Sequence, residues 1–119
     1  MSNLSGMYRQ IILEHYKNPD NFGSLANYDI KAHAHNPSCG DEIEIKIKLN
    51  KGKIKDAKFQ AKGCAISLAS ADILLDNIKN KSLKDIKKLN EKHLLKFLKV
   101  EISHARMNCA MLALNALKK

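Results

Sequence analysis

The alternation from Glu42 to Leu49 constrains the fold more than any other feature of the sequence. Polar and apolar residues alternate without interruption over this segment, and a period of two predicts a strand with one buried and one solvent-facing side. A turn follows at Asn50–Lys53, which contains a glycine. The chain then returns through Ile54–Ala61, where Ala57 and Phe59 share one side. These segments predict a β-hairpin whose apolar face is covered by other elements.

Apolar residues at helical spacing predict helices on both sides of the hairpin. The predicted helices span residues 4–17, 64–78, 82–98 and 103–117, with Ser82 as the N-cap of the lysine-rich third helix. Tyr28–His35 alternates weakly and predicts a short additional strand. Because the strands come early and most helices late, we expect an α+β fold of one domain, residues 1–119, with helices packed on one face of an antiparallel sheet.

Length and cysteine content narrow the class of protein. The 119 residues suffice for a buried core, and no apolar segment is long enough to span a membrane. The polar start of the sequence predicts no signal peptide. Three widely spaced cysteines do not form a local disulfide framework. We therefore expect a reduced cytoplasmic protein whose thiols serve metal binding or chemistry.

A net charge of +9 raises the question of nucleic-acid binding. Nearly all the basic residues are lysines, however, and Arg9 and Arg106 are the only arginines. Base-edge recognition depends on arginine and single-strand binding on aromatic residues, which are scarce here. The lysines also divide between residues 46–62 and 79–99. A solvated surface and an acidic protein partner are both favoured over nucleic acid.

The segment Asn36–Asp41 places a thiol and a carboxylate two residues apart, Cys39 and Asp41, in a turn that contains a proline and a glycine. Two further thiols, Cys64 and Cys109, lie far along the chain. Three thiols and one carboxylate form a complete tetrahedral ligand set for zinc. The combination predicts that the fold brings these four side chains together.

Each distant cysteine is predicted at a junction that favours a thiolate. Cys64 lies where the hairpin ends and a helix starts, so unpaired amides and the helix dipole stabilise negative sulfur. Cys109 lies in the last helix, three residues after the cation of Arg106. The alternative is that each cysteine, taken singly, is a small buried apolar residue and that Asp41 is an ordinary turn residue.

The histidines are weaker ligand candidates. His33 and His35 precede the turn and could approach the site, but both would face the same side of a strand and only one site can be filled. His104 lies off the helical face of Cys109. His15 and His93 are expected on the surface.

Four segments carry a family resemblance: Met7–Pro19 (MYRQIILEHYKNP), Asn36–Asp41 (NPSCGD), Gly63–Ala71 (GCAISLASA) and Arg106–Ala113 (RMNCAMLA). In this order they resemble the U-type iron–sulfur cluster assembly proteins, the group of IscU, SufU and the NifU N-terminal domain. The resemblance covers nearly the whole chain. It implies an α+β fold with a three-stranded antiparallel sheet. It also carries the family's ligand positions over to Cys39, Asp41, Cys64 and Cys109.

The resemblance is divided between two types within the family. Asn108 stands where IscU-type members have a histidine, and the surroundings of Arg106 and Cys109 look like SufU, the zinc-binding type that accepts sulfur from a cysteine desulfurase. The short segment between Cys64 and Cys109 is IscU-like instead, and Leu95–Val100 lacks the prolines of the IscU chaperone-binding motif.

Three functions follow as hypotheses. In the first, the protein holds Zn²⁺ and accepts persulfide sulfur on Cys39 from a pyridoxal-phosphate-dependent cysteine desulfurase. Asp41 would keep the site exchangeable, and Arg106 would stabilise the anionic sulfur. Whether such a sulfurtransferase-like acceptor is an enzyme stays open.

The second hypothesis is a scaffold that builds a transient [2Fe–2S] cluster on Cys39, Cys64 and Cys109. It would pass the cluster to recipient apo iron–sulfur proteins or downstream assembly proteins. The third is a basic interaction module with a purely structural zinc. Asp41 weighs against it, because closed structural sites prefer four cysteine or histidine ligands.

Overall fold

The computed structural model describes residues 3–37, 40–99, 102 and 106–118, and the side chains of the first helix from Gln10 onward. Cys39 and His104 lie outside the described residues. In chain order the elements are α1 (Asn3–Lys17), β1 (Ile30–Asn36), β2 (Asp41–Asn50), β3 (Lys53–Lys62), α2 (Ala65–Ile78), α3 (Leu83–Lys87), α4 (Glu91–Leu98) and α5 (Met107–Leu117).

The three strands form one antiparallel sheet in the order β1–β2–β3. Ile45 at the centre of β2 pairs with Ala32 on one side and Phe59 on the other. The hairpin between β2 and β3 turns through Lys51 and Gly52, both with positive φ, 54° and 80°. Positive φ at both central residues defines the type I′ turn, whose twist matches that of the flanking strands.

One face of the sheet carries the core. Ile43, Ile45, Ile47 and Phe59 are at most 2% exposed, as the alternation in the sequence predicts. Helix α5 packs across β1 and β2, while α2 packs against β3, α5 and α1. The predicted α+β fold, with helices on one face of an antiparallel sheet, is confirmed.

Two predicted boundaries are wrong. The first strand begins at Ile30 rather than Tyr28. The lysine-rich segment predicted as one helix contains two, α3 and α4. Asn90 interrupts it because its side chain accepts a hydrogen bond from the His93 amide while the His93 ring accepts one from the Asn90 amide, a reciprocal cap that starts a new helix. Ser82 caps α3 as predicted.

Helix α5 begins at Met107, and residues 103–105 of the predicted last helix lie outside the described residues. Within the part of the chain that the structure describes, no helix is both long and apolar enough to cross a membrane.

A buried carboxylate ties α1 to α2. Asp72 is fully buried and accepts hydrogen bonds from the Asn21 amide and side chain, both at 2.9 Å. His15 Nδ1 lies 2.6 Å from Asp72 Oδ2. The expectation that His15 is a plain surface residue is therefore wrong, because its ring is half-buried against Asp72. The prediction for His93 is correct, since it is exposed.

Candidate metal centre

Three of the four predicted ligands converge below one end of the sheet. Asp41 is the first residue of β2, Cys64 is the N-cap of α2, and Cys109 lies in the first turn of α5. One carboxylate oxygen and the two sulfurs all lie within 4.8 Å of one another. Two sulfurs bound to one tetrahedral zinc at ~2.3 Å stand roughly 3.8 Å apart. The three donor atoms are therefore close enough to contact one metal ion together.

Asp41 is buried and held by α2. Asp41 is only 5% exposed. Its Oδ2 accepts a 2.5 Å hydrogen bond from the Ser67 hydroxyl. Burying a carboxylate without such a donor is costly. The bond to Oδ2 fixes the plane of the carboxylate, which orients the second oxygen for another partner.

Gly63 makes room for Asp41. A Cβ at this position would lie 2.8 Å from Asp41 Cγ, closer than real Cβ atoms approach other atoms, and 3.0 Å from Oδ1. The absence of a side chain at Gly63 is therefore a packing requirement of the site. The sequence marked Gly63 only as the end of a strand.

Cys64 has a stabilised thiolate. Burial raises the pKa of the thiol, but hydrogen bonds from the Ser67 amide, the Ser67 hydroxyl, Cys109 and the Ile66 amide outweigh it, so the pKa lies below its ordinary value. Cys64 Sγ is 3.6 Å from Ser67 Oγ. The Ser67 hydroxyl has a single proton, which it can donate either to Cys64 or to Asp41. The backbone amides at the start of α2 therefore stabilise the Cys64 thiolate more consistently than the hydroxyl does.

Cys109 is buried, at 5% exposure, whereas Arg106 is exposed and precedes α5 as its N-cap. Cys39 lies outside the described residues. On either side of it, Asn36 pairs with Asp41, and the Gly40 amide donates a 2.8 Å hydrogen bond to the Asn36 carbonyl. Gly40 has φ +76°, a conformation that favours glycine.

Two histidine candidates, His33 and His35, lie outside the described metal-ligand group, and His104 lies outside the described residues. His33 and His35 are exposed and pair across strands with Glu44 and Glu42 on the solvent face of the sheet. Sequence reasoning missed Ser67, because its main partner, Asp41, lies on a different element far along the chain.

A buried acid and two sulfurs, gathered at a helix N-terminus below a small antiparallel sheet, form a group of side chains that could hold a metal ion. The family model of the NifU-like N terminal domain matches residues 7–119, and the chain belongs to this family. The resemblance read from the sequence is confirmed.

The curated relatives include proteins named SufU and proteins named IscU. Zinc-dependent sulfurtransferase SufU of Bacillus subtilis is 46% identical over 82 residues, which is 69% of this chain and 55% of that protein. Iron–sulfur cluster assembly enzyme IscU of Drosophila melanogaster is 35% identical over 116 residues, which is 94% of this chain and 74% of the relative. The chain thus spans little more than half of the SufU sequence it matches.

A solved structure agrees with the fold. It is that of a candidate iron–sulfur cluster assembly scaffold protein for the SUF system from the thermophile Fervidobacterium islandicum AW-1. It superposes with a TM-score of 0.75 at 26% identity, covering 96% of both chains.

Proposed function

We propose that this protein acts in iron–sulfur cluster assembly as a zinc-bound acceptor of persulfide sulfur from a pyridoxal-phosphate-dependent cysteine desulfurase. The observation that carries the proposal is the convergence of Asp41, Cys64 and Cys109 within 4.8 Å. The high identity to a relative named as a zinc-dependent sulfurtransferase supports it. We also propose that residues 1–119 act as a single domain.

The donors suit zinc. Cys39, Asp41, Cys64 and Cys109 would hold the ion, since thiolates and a carboxylate are ordinary zinc ligands. Zinc keeps bound thiols deprotonated at neutral pH, which is the chemistry it supplies here. The cradle at Gly63 and the Ser67 hydroxyl hold Asp41 in place for this role.

Cys39 is the proposed acceptor because the sequence predicts it in a proline- and glycine-containing turn. Cys64 and Cys109 instead lie at the start of packed helices. The Cys39 thiolate attacks the outer sulfur of the desulfurase persulfide, and a new sulfur–sulfur bond forms on Cys39. The old bond breaks, and the desulfurase cysteine leaves as a thiolate. This transfer exchanges one sulfur–sulfur bond for another, so it needs no oxidant. The exposed guanidinium of Arg106 would stabilise the anionic sulfur near the site.

A second candidate function is favoured by a separate observation. The IscU matches extend over more than nine-tenths of the chain, and the short segment between Cys64 and Cys109 has the IscU-like length noted in the sequence. On this alternative the three cysteines hold a transient [2Fe–2S] cluster as cargo. Recipient apo iron–sulfur proteins or downstream assembly proteins would take it.

One experiment separates these functions. The zinc-loaded protein is incubated with a cysteine desulfurase and cysteine labelled with ³⁵S, and the trapped label is mapped by mass spectrometry. The chain has three cysteines, so the label identifies one of three positions. We expect it on Cys39, with transfer lost in Cys39→Ser. Label on Cys109, or transfer that survives in Cys39→Ser, would reject the assignment and favour the scaffold.

A further inference from the structure

The outer edge of β1 is an open strand edge. On its inner side β1 pairs with β2, and among the described residues no other strand pairs with it. The opposite edge of the sheet is covered, because Asn21 and Gly23 hydrogen-bond to Phe59, and Lys81 to Ile54. An open edge offers backbone groups to a further strand. Among the described residues, β1 therefore provides the sheet edge that an added strand could join.

An apolar groove of about 670 Å³ adjoins this edge. It lies between β1, α3 and the end of α5, and its apolar lining includes Ile30, Ala32, Leu83, Ile86 and Leu117. In a strand added to β1, alternate side chains would point to the groove side of the sheet. The groove therefore provides side-chain contacts for a peptide whose backbone pairs with the edge.

The charge around the groove indicates the occupant. Lys31, Lys84 and Lys87 line it, and no aspartate or glutamate is among its described lining residues. Lys31 Nζ lies 4.0 Å from Glu44 Oε2, and an exposed ion pair at this distance contributes little to stability. A second copy of this chain would bring the same lysines and a net charge of +9 to the interface. An acidic partner is therefore favoured over self-association.

We propose that this edge and groove dock an extended peptide segment of a partner protein, with acidic residues alternating with small apolar ones. The groove borders the Ile30 end of β1, and Asp41 pairs with Asn36 at the other end. From Ile30 to Asn36 the strand makes six residue steps, which span roughly 20 Å. The groove and the candidate metal centre therefore lie toward opposite ends of β1.

The test uses the full chain and a fluorescein-labelled peptide, Glu-Val-Glu-Val-Glu-Val-Glu, followed by fluorescence anisotropy at low salt. We expect saturable binding, with backbone amide NMR shifts concentrated in Ile30–Asn36. The double variant Lys84→Glu/Lys87→Glu should bind about tenfold more weakly. A matched variant, Lys92→Glu/Lys96→Glu, makes the same charge change on exposed positions of α4 and should bind within about twofold of the parent protein.

Several outcomes would overturn the proposal. They are no binding of the peptide, equal weakening in both double variants, and amide shifts centred away from β1. Equal binding of a peptide with proline in place of the valines would also do so, because proline lacks the amide that pairs with an edge. Dimerisation of the protein through β1, detected by ultracentrifugation, would assign the groove to a second copy instead.

Discussion

The Ser67 hydroxyl donates a 2.5 Å hydrogen bond to Asp41 Oδ2, joining the first turn of α2 to the first residue of β2. Both residues are buried, at 3% and 5% exposure. The same hydroxyl lies 3.6 Å from Cys64 Sγ. Ser67 therefore connects two proposed ligands without being one itself.

Replacing Ser67 by alanine should lower zinc affinity by about 10–100-fold, because an orienting partner of a ligand is lost. Competition with a chromophoric chelator measures the affinity, and the visible spectrum of the cobalt-substituted protein reports the ligand geometry. Ser70→Ala is the matched control. Ser70 is buried in the same helix, and its hydroxyl has no partner among the described residues. Ser70→Ala should leave zinc affinity unchanged, and equal losses in both variants would contradict a positioning role for Ser67.

Gly63→Ala should weaken zinc binding by about tenfold or more, since the added Cβ would lie 2.8 Å from Asp41 Cγ and displace the carboxylate. Gly52→Ala is the comparison. It strains a turn with φ +80° and costs about 1 kcal/mol of stability, far from the site. Chelator competition and urea unfolding should thus separate the two variants. A Gly63→Ala protein with full zinc affinity would show that Asp41 tolerates displacement.

Asp72→Ala should lower the free energy of unfolding by about 3 kcal/mol, because Asn21 and His15 lose a buried acceptor. Asp76 is exposed and accepts one hydrogen bond from the same Asn21 side chain, at 2.8 Å. Asp76→Ala should therefore cost less than about 1 kcal/mol. Urea unfolding of both zinc-loaded variants measures this difference. Similar losses would mean that the buried network adds little to α1 docking.

The lowered pKa of Cys64 predicts a specific pH dependence in the metal-free protein. The folded state binds the thiol proton less tightly than the unfolded chain. The contribution of Cys64 to stability is therefore present above the unfolded pKa and is lost as pH falls through the folded value. Alkylation by iodoacetamide, mapped to Cys64 by mass spectrometry, should show a midpoint below that of the urea-unfolded chain. A midpoint at or above that of the unfolded chain would contradict a stabilised thiolate.

Binding to the desulfurase should weaken steadily with ionic strength if the +9 charge meets an acidic rim on that enzyme. Surface plasmon resonance from low to high salt measures the affinity. The expected change lies mainly in the association rate. An affinity that does not depend on salt would mean that the lysines form a solvated surface and do not contribute to binding.

The sequence alone predicted most of the fold because the strongest signals are local. The alternation of β2 and β3 determines which face is buried, and the turn residues at Lys51 and Gly52 determine the hairpin. The break at Asn90 was missed since one polar residue in a lysine-rich segment is a weak signal beside continuous helical spacing. His15 was misjudged because its partner, Asp72, lies far along the chain.

At the candidate site, the sequence by itself determined the donor types and their junction positions, because thiols and a carboxylate limit the metals that can bind. The tertiary structure alone decided that Asp41, Cys64 and Cys109 meet, and that Gly63 and Ser67 hold Asp41 there. Those contacts join segments that are far apart along the chain, and separation along the chain does not indicate how close two residues lie in the folded protein. Only the packing of α2 and α5 under the sheet brings them together, because burial of the shared apolar face fixes where each helix end lies.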